Sequence, residues 1–308
     1  MSLPELTISE HVDLAPMTSW RIGGPARYLA SVRSPAGVVQ AIAFADQHHL
    51  PVWILGGGSN MLISSHGLPG VVIRMRDTSM QIDVQSDAAR ITIGAGAPMA
   101  GSVRQLSNVG WAGLTWAEGL PGTFGGAVYG NAGCYGGDMA QSVAQVQLWQ
   151  DGALVSCPPD TLAFAYRTSA IKRQNAPCMR DGMHVGEIGP IVVAATVELV
   201  RDDPNRLSAA MAQTAALRRS KTPQGSSCGS VFKNPPNDSA GRLIEAVGLK
   251  GYGHGGAMIA EKHANYIVNH GGATSADVRA IVSHVHTVVL REFGVSLEPE
   301  VQLLGESW

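Results

Sequence analysis

The chain has 308 residues, room for two or three structural units. Charged residues make up 15% of it, well under the usual ~25%, and the net charge is −2. That balance exerts no pull on polyanions, which excludes nucleic acid and anionic membrane as expected partners. The 37 glycines have no fixed period, so the excess is not collagen-like; it gathers in short loops.

The first region is expected to run over residues 1–75. Its opening twenty residues carry acids and no apolar run, unlike a signal peptide. Ser34-Pro35 reads as an N-cap with proline at the first helical position. Val38, Val39, Ile42 and Leu50 then recur at helical spacing. Pro51 to Leu55 is a short apolar strand ending in Gly56-Gly57-Gly58-Ser59-Asn60, and Val71 to Ile73 is another strand. Together they make a small α/β unit.

The second region, 76–203, mixes short strands with glycine loops. Gln81 to Val84 and Arg90 to Ile93 look paired. Val146 to Trp149 and Ala153 to Val155, split by Asp151-Gly152, give a hairpin signal. Ile191 to Val200 closes the region as a strand; it is also the longest apolar stretch, far short of the roughly 20 residues of a membrane helix. The third region, 204–308, opens with a helix over Leu207 to Arg219 that must stop before Pro223. Ser239 caps a short helix ended by Gly248. Asn265 to Asn269 is a strand. Thr274 or Ser275 caps a longer helix that stops at Gly294, and Glu300 to Leu304 is a final strand.

Two loops suggest a ligand. Gly56 to Asn60 follows a strand, and consecutive backbone N–H groups without side-chain cover suit phosphate or pyrophosphate oxygens. A tight turn alone needs only one glycine. The stretch Gly119 to Gly133 is too apolar for a solvated linker and too long for a plain connection. Its Gly and Ala residues let backbone approach a flat ring, with Thr123 and Asn131 adding side-chain hydrogen bonds. A dinucleotide spanning both loops fits. Gly251-Tyr252-Gly253-His254-Gly255-Gly256 matches G-x-G-x-x-G but lies between a helix and a strand, the reverse of the dinucleotide order, and reads as a connection.

Cys134, Cys157, Cys178 and Cys228 form no C-x-x-C, and the histidines fall at no zinc spacing, so no metal site and no disulfide framework is expected. Arg167 in Phe164 to Ser169, Ser230 and Lys233 in Ser227 to Pro235, and Glu300 in Glu298 to Val301 stand out as reactive groups. Each singly has a plain structural explanation. No G-x-S-x-G elbow supports Ser230 as a hydrolase nucleophile.

Six segments in order resemble the UDP-N-acetylenolpyruvoylglucosamine reductase (MurB) family. They are Trp20 to Ala26, Gly56 to Asn60, Gly119 to Gly137, Tyr166 to Ser169, Gly229 to Pro235 and Leu297 to Val301. The compact third region resembles the shorter, type II branch. The resemblance implies an α+β fold. A vanillyl-alcohol-oxidase-type (PCMH) FAD-binding domain of two α/β subdomains, 1–75 and 76–203, precedes a C-terminal α+β UDP-sugar domain, 204–308. It implies a cytoplasmic flavoenzyme that takes hydride from NADPH and reduces the enolpyruvyl nucleotide to UDP-N-acetylmuramate, with no obligate protein partner.

The residues carried over are these. Gly56, Gly57, Gly58, Ser59, Asn60, Gly119, Pro121, Gly122, Thr123, Gly125, Gly126, Asn131 and Gly133 hold non-covalent FAD. Ser230 gives a proton to substrate C2, while Arg167 and Glu300 polarise the substrate carboxylate, which Glu300 does only when protonated. Tyr166, Lys221, Lys233, Asn234 and His263 contact the nucleotide-sugar. Cys134 reads as a small apolar filler in the flavin loop. Two rivals stay open: a flavin oxidase on the same FAD domain, and a non-catalytic nucleotide-sugar sensor.

Overall fold

A computed structural model describes residues 4–184 and 186–307. The first region builds a four-stranded sheet. Leu6–Asp13 lies antiparallel to Pro25–Val32, which runs parallel to Leu68–Met75, itself parallel to Val52–Leu55. The helix Pro35–Gln47 covers this sheet. Ser34 Oγ accepts from Gly37 N–H at 3.1 Å, as the cap signal requires. Val38, Ala41, Ile42 and Ala45 are buried, while Val39 faces out and Leu50 lies beyond the helix end.

The second region is an antiparallel sheet in the order Ala153–Cys157, Val143–Gln150, Ile191–Arg201, Ala88–Gly94, Met80–Gln85. Asp151 and Gly152 both have positive φ, +50° and +82°, the condition for a two-residue type I′ hairpin. Ile91 and Ile93 point inward, each burial contributing roughly 1.5–3 kcal/mol. Arg90 and Thr92 point outward. The exposed Arg90–Glu198 pair, at 2.7 Å, is worth no more than about 1 kcal/mol.

Core packing runs across the expected boundaries. Ala30 and Val38 of the first region share one core with Val146 and Val197 of the second, so residue 75 separates sheets but not cores. The helix Pro204–Lys221, assigned by sequence to the third region, packs on the helix Met99–Asn108 and buries Met211 in that same core.

Beyond it, Phe232, Ile244, Val278, Ile281 and Val285 form a second core. Thr274 is the N-cap of Ser275–Phe293, closing a capping box with Asp277, and Gly294 ends it at φ +67°. Residues of the first region also enter this core. Trp20 is fully buried there, donates from Nε1 to Ile267 O at 2.6 Å, and takes the Asn269 amide on its own carbonyl. The last strand, Gln302–Leu304, runs parallel to Met61–Ile63. The chain's end is thereby delivered beside the first glycine loop. Among the described residues no helix is long and apolar enough to cross a membrane.

Candidate active site

The strand Val52–Leu55 ends at Gly56. Among the described residues, the backbone N–H groups of Gly56, Gly57, Gly58, Ser59 and Asn60 meet no protein acceptor, and neither do those of Gly122 and Thr123. Such a run of free donors is a site for anionic oxygens. The two loops touch backbone to backbone. A Cβ on Gly57 would lie 2.5 Å from Gly122 Cα, and one on Gly56 would lie 2.6 Å from Thr123 Oγ1.

The second loop is not open throughout, as the sequence reading had it. Phe124–Gly130 is a short helix, with Thr123 Oγ1 accepting from Gly126 N–H at 3.4 Å and Phe124 and Val128 fully buried. It forms despite its glycines because those two side chains anchor it in the first core. An apolar crevice opens among Ile54, Gly56, Gly125, Gly126, Tyr129 and Met183.

Asn131 is the left-handed C-cap of this helix, at φ +44°. Its Nδ2 donates to Ala165 O and its Oδ1 accepts from Ala140 N–H, each at 3.0 Å, so its amide also braces the neighbouring turns. Gly133 pairs with Asp138, and Gly119, at φ +70°, lies against Arg218. Pro121 is exposed. Cys134 is more than a filler: its Sγ contacts Trp116 O at 3.3 Å and Arg218 Nη2 at 3.2 Å.

Arg167 sits in a turn closed by mutual backbone bonds between Ala165 and Thr168, at 3.1 Å each. Its φ is +57°, a conformation that costs a residue with a Cβ roughly 1–2 kcal/mol. Its Nε lies 3.0 Å from Glu300 Oε1. The segment 298–300 runs against 231–233: Glu300 N–H donates to Val231 O at 2.7 Å, and Lys233 N–H to Glu298 O at 2.9 Å. Ser230 adjoins this pairing and bridges Tyr266 on the other side. Asn60 Nδ2 reaches Glu300 O at 3.2 Å, tying the first glycine loop to the same group. Arg167, Ser230 and Glu300, drawn from three separate motifs, are thus held around one place.

Glu300 is mostly buried, its side chain 16% exposed. Burial pushes its carboxyl above the ordinary range, against the opposing pull of Arg167, Lys172 and Lys233. The ion pair favours the charged form and burial the neutral one. A substrate carboxylate that took the Arg167 fork would remove that pairing and leave the neutral form favoured.

The expected nucleotide contacts divide. Lys233 pairs with Glu298 at 2.6 Å and lines a second crevice with Lys172, Glu298, Glu300 and Gln302. Tyr166 is exposed, with the Arg167 guanidinium 5.2 Å from its ring centroid. Asn234 Oδ1 accepts from Ala240 N–H, where it steadies the start of the helix Ala240–Ala246. His263 packs at 4.8 Å on Tyr266 and accepts from Asn265 N–H, and burial lowers its pKa. Lys221 is exposed at the end of its helix.

Sequence reading passed over Tyr129, Lys172 and Gln302. Gln302 Nε2 donates to Tyr129 OH at 3.0 Å, joining the last strand to the glycine helix. Its signal was available, since residues 300 and 302 share a face of an extended chain.

Comparison with known proteins names the class first. An FAD binding domain model matches residues 26–157, and the C-terminal domain model of UDP-N-acetylenolpyruvoylglucosamine reductase matches residues 221–304. Together they make this an FAD-binding oxidoreductase. The reductase of Chloroflexus aggregans is 45% identical over 304 residues, 98% of this chain and 99% of its own. That of Symbiobacterium thermophilum is 40% identical, over 94% and 90% of the two chains. The crystal structure of the reductase from Thermus caldophilus superposes with a TM-score of 0.77 at 32% identity, covering 97% of this chain and 98% of that one. The chain belongs to the UDP-N-acetylenolpyruvoylglucosamine reductase family. It is a flavoenzyme that makes UDP-N-acetylmuramate for peptidoglycan synthesis.

Proposed function

We propose that the enolpyruvyl nucleotide is reduced at the place where Arg167, Glu300 and Ser230 meet the two glycine loops. The 3.0 Å Arg167–Glu300 contact beside the Ser230 segment carries this reading. The free amides of Gly56 to Asn60, Gly122 and Thr123 suit the FAD pyrophosphate, and the apolar crevice beside them suits its flat rings. Held by these groups, FAD would supply the hydride chemistry, with NADPH as the donor and the vinylic C3 of the substrate as the acceptor.

The chain's own residues then manage charge and one proton. Arg167 presents a planar fork to the substrate carboxylate, where negative charge spreads as C3 is attacked. Glu300, in its protonated form, donates a hydrogen bond to the same group. The Ser230 hydroxyl donates its proton to C2. A serine is a weak acid, and the carbanion's strong basicity compensates. Lys233 and Tyr166 lie close enough to this place to take the nucleotide-sugar.

The short connections of the three-stranded sheet Gly253–His254, Ala257–Ile259, Ile267–Asn269 support the type II assignment. Four free cysteines suit a reducing, cytoplasmic compartment.

One preparation tests the reading. The purified protein should be yellow, and denaturation should release the flavin into the supernatant. NADPH should bleach it anaerobically, and the enolpyruvyl nucleotide should restore the colour. Reoxidation by oxygen alone, with no response to the nucleotide, would support a flavin oxidase, and a colourless protein a sensor. Gly57→Ala checks the cradle separately. Its Cβ would drive Gly122 away, so FAD affinity in a reconstitution titration should fall at least tenfold, or roughly 1.4 kcal/mol.

A further inference from the structure

Arg167 holds a left-handed conformation that its side chain disfavours, so its neighbours must over-determine it. Three residues, Asn131, Ser169 and Lys172, fix the turn. Asn131 Nδ2 takes Ala165 O at 3.0 Å from the end of the glycine helix. Ser169, fully buried, donates to Tyr129 O of that helix at 2.7 Å and accepts from Lys172 N–H at 3.1 Å as N-cap of Ala170–Asn175. That cap sets Lys172 three residues into the chain reversal, from where its Nζ returns to Arg167 O at 3.0 Å.

Lysine is an unusual choice for holding a backbone carbonyl in a half-buried place. It loses solvation there, and burial lowers its pKa while Glu300 and Glu298 pull it back up. Lys172 also lines the second crevice with Lys233, Glu298 and Glu300, whereas Arg167 and Ser230 do not. It reaches Arg167 through the backbone carbonyl, at the end of the residue opposite the guanidinium.

We propose that Lys172 is the positioning residue of the Arg167–Glu300 pair: its ammonium group pins the Arg167 carbonyl and sets the charge beside Glu300. This rests on the roles of Arg167 and Glu300 given above. The groups that face Glu300 are Arg167 on its turn, Lys172 on its helix, Lys233 on the adjoining segment and Tyr266 beside Ser230. Glu298, on the same segment as Glu300, faces Lys172 and Lys233. Loss of one cation from this set leaves Glu300 holding its proton to higher pH.

The test uses the FAD-loaded enzyme with Lys172→Met, Lys172→Arg and Arg167→Ala. In Lys172→Met, bleaching by NADPH should stay within about twofold of normal. Reoxidation by the enolpyruvyl nucleotide should slow by about 10- to 100-fold, the size expected when a reacting group is misplaced. Substrate KM should change less than that rate. The alkaline limb of the reoxidation profile should move to higher pH. Lys172→Arg, which keeps both a donor and the charge, should restore most of the rate and the limb. Thermal unfolding accompanies each variant. If Lys172→Met reoxidises normally while Arg167→Ala is slow, the proposal alone is overturned. It is also overturned if Lys172→Met slows both half-reactions alike with an unmoved limb, the mark of a purely structural lysine. A normal Arg167→Ala would instead remove the reading beneath it.

Discussion

Replacing Arg167 by Ala is expected to slow reduction of the enolpyruvyl nucleotide by about 10²-fold or more, with a smaller change in its affinity. In the proposed site the guanidinium meets the charge that grows on the substrate carboxylate as hydride reaches C3. An interaction that strengthens only in the transition state appears in turnover rather than in binding. Glu300→Ala, which removes the donor, should do the same, and in the wild type the rate should fall as pH rises through the Glu300 pKa. The sign follows from the required form: burial raises that pKa, and the active carboxyl is the protonated one. Stopped-flow reoxidation across pH measures both.

A second glycine variant separates side chain from backbone. Arg167→Gly and Arg167→Ala both lose the fork and should be equally slow. At φ +57°, however, Gly should leave the protein more stable than Ala by about 1 kcal/mol, seen as a higher Tm. Weakened binding with turnover intact in either variant would show that Arg167 merely anchors the substrate.

The elements that could be read in the sequence are those fixed by local chemistry. Ser34-Pro35 and Thr274 announce helix starts because a side-chain oxygen must meet orphan amides. Gly294 and Asp151-Gly152 announce turns because only certain residues tolerate positive φ. What escaped depends on distant parts of the chain. Phe124–Gly130 looks like a loop by propensity, and becomes a helix only because a core assembled from the first two regions receives Phe124 and Val128. Missing that helix hid the part Asn131 plays as its left-handed cap.

The last strand was visible as a strand, but its partner Met61–Ile63 lies some 240 residues away, and apolar pattern does not name a partner. The catalytic trio came from motif resemblance, since each member alone looks ordinary. Lys172 had no sequence signal: its role arises from a left-handed turn five residues upstream, and nothing in the local pattern shows that the turn exists.

The sharpest separation is expected at Ser230. Flavin reduction by NADPH needs no proton at substrate C2, so Ser230→Ala should still bleach at a near-normal rate. Hydride arriving at C3 then creates a carbanion that nothing on the protein quenches. Reoxidation by the enolpyruvyl nucleotide, followed anaerobically, should therefore slow by a factor on the order of 10²–10⁴, the usual contribution of a placed acid. Ser230→Cys should regain part of the rate, because a thiol is the better acid. The surroundings make this a clean substitution. Ser230 is fixed through backbone pairing with Tyr266, and its neighbours Val231 and Phe232 carry the local core, so removing one hydroxyl disturbs no packing. If Ser230→Ala slowed both half-reactions equally, the hydroxyl would be a packing or flavin-seating group, and the proton would have to come from elsewhere. Tyr266 is the candidate to test, since it pairs with Ser230 across the bridge. A Tyr266→Phe variant with normal reoxidation, set beside a slow Ser230→Ala, would leave Ser230 as the donor.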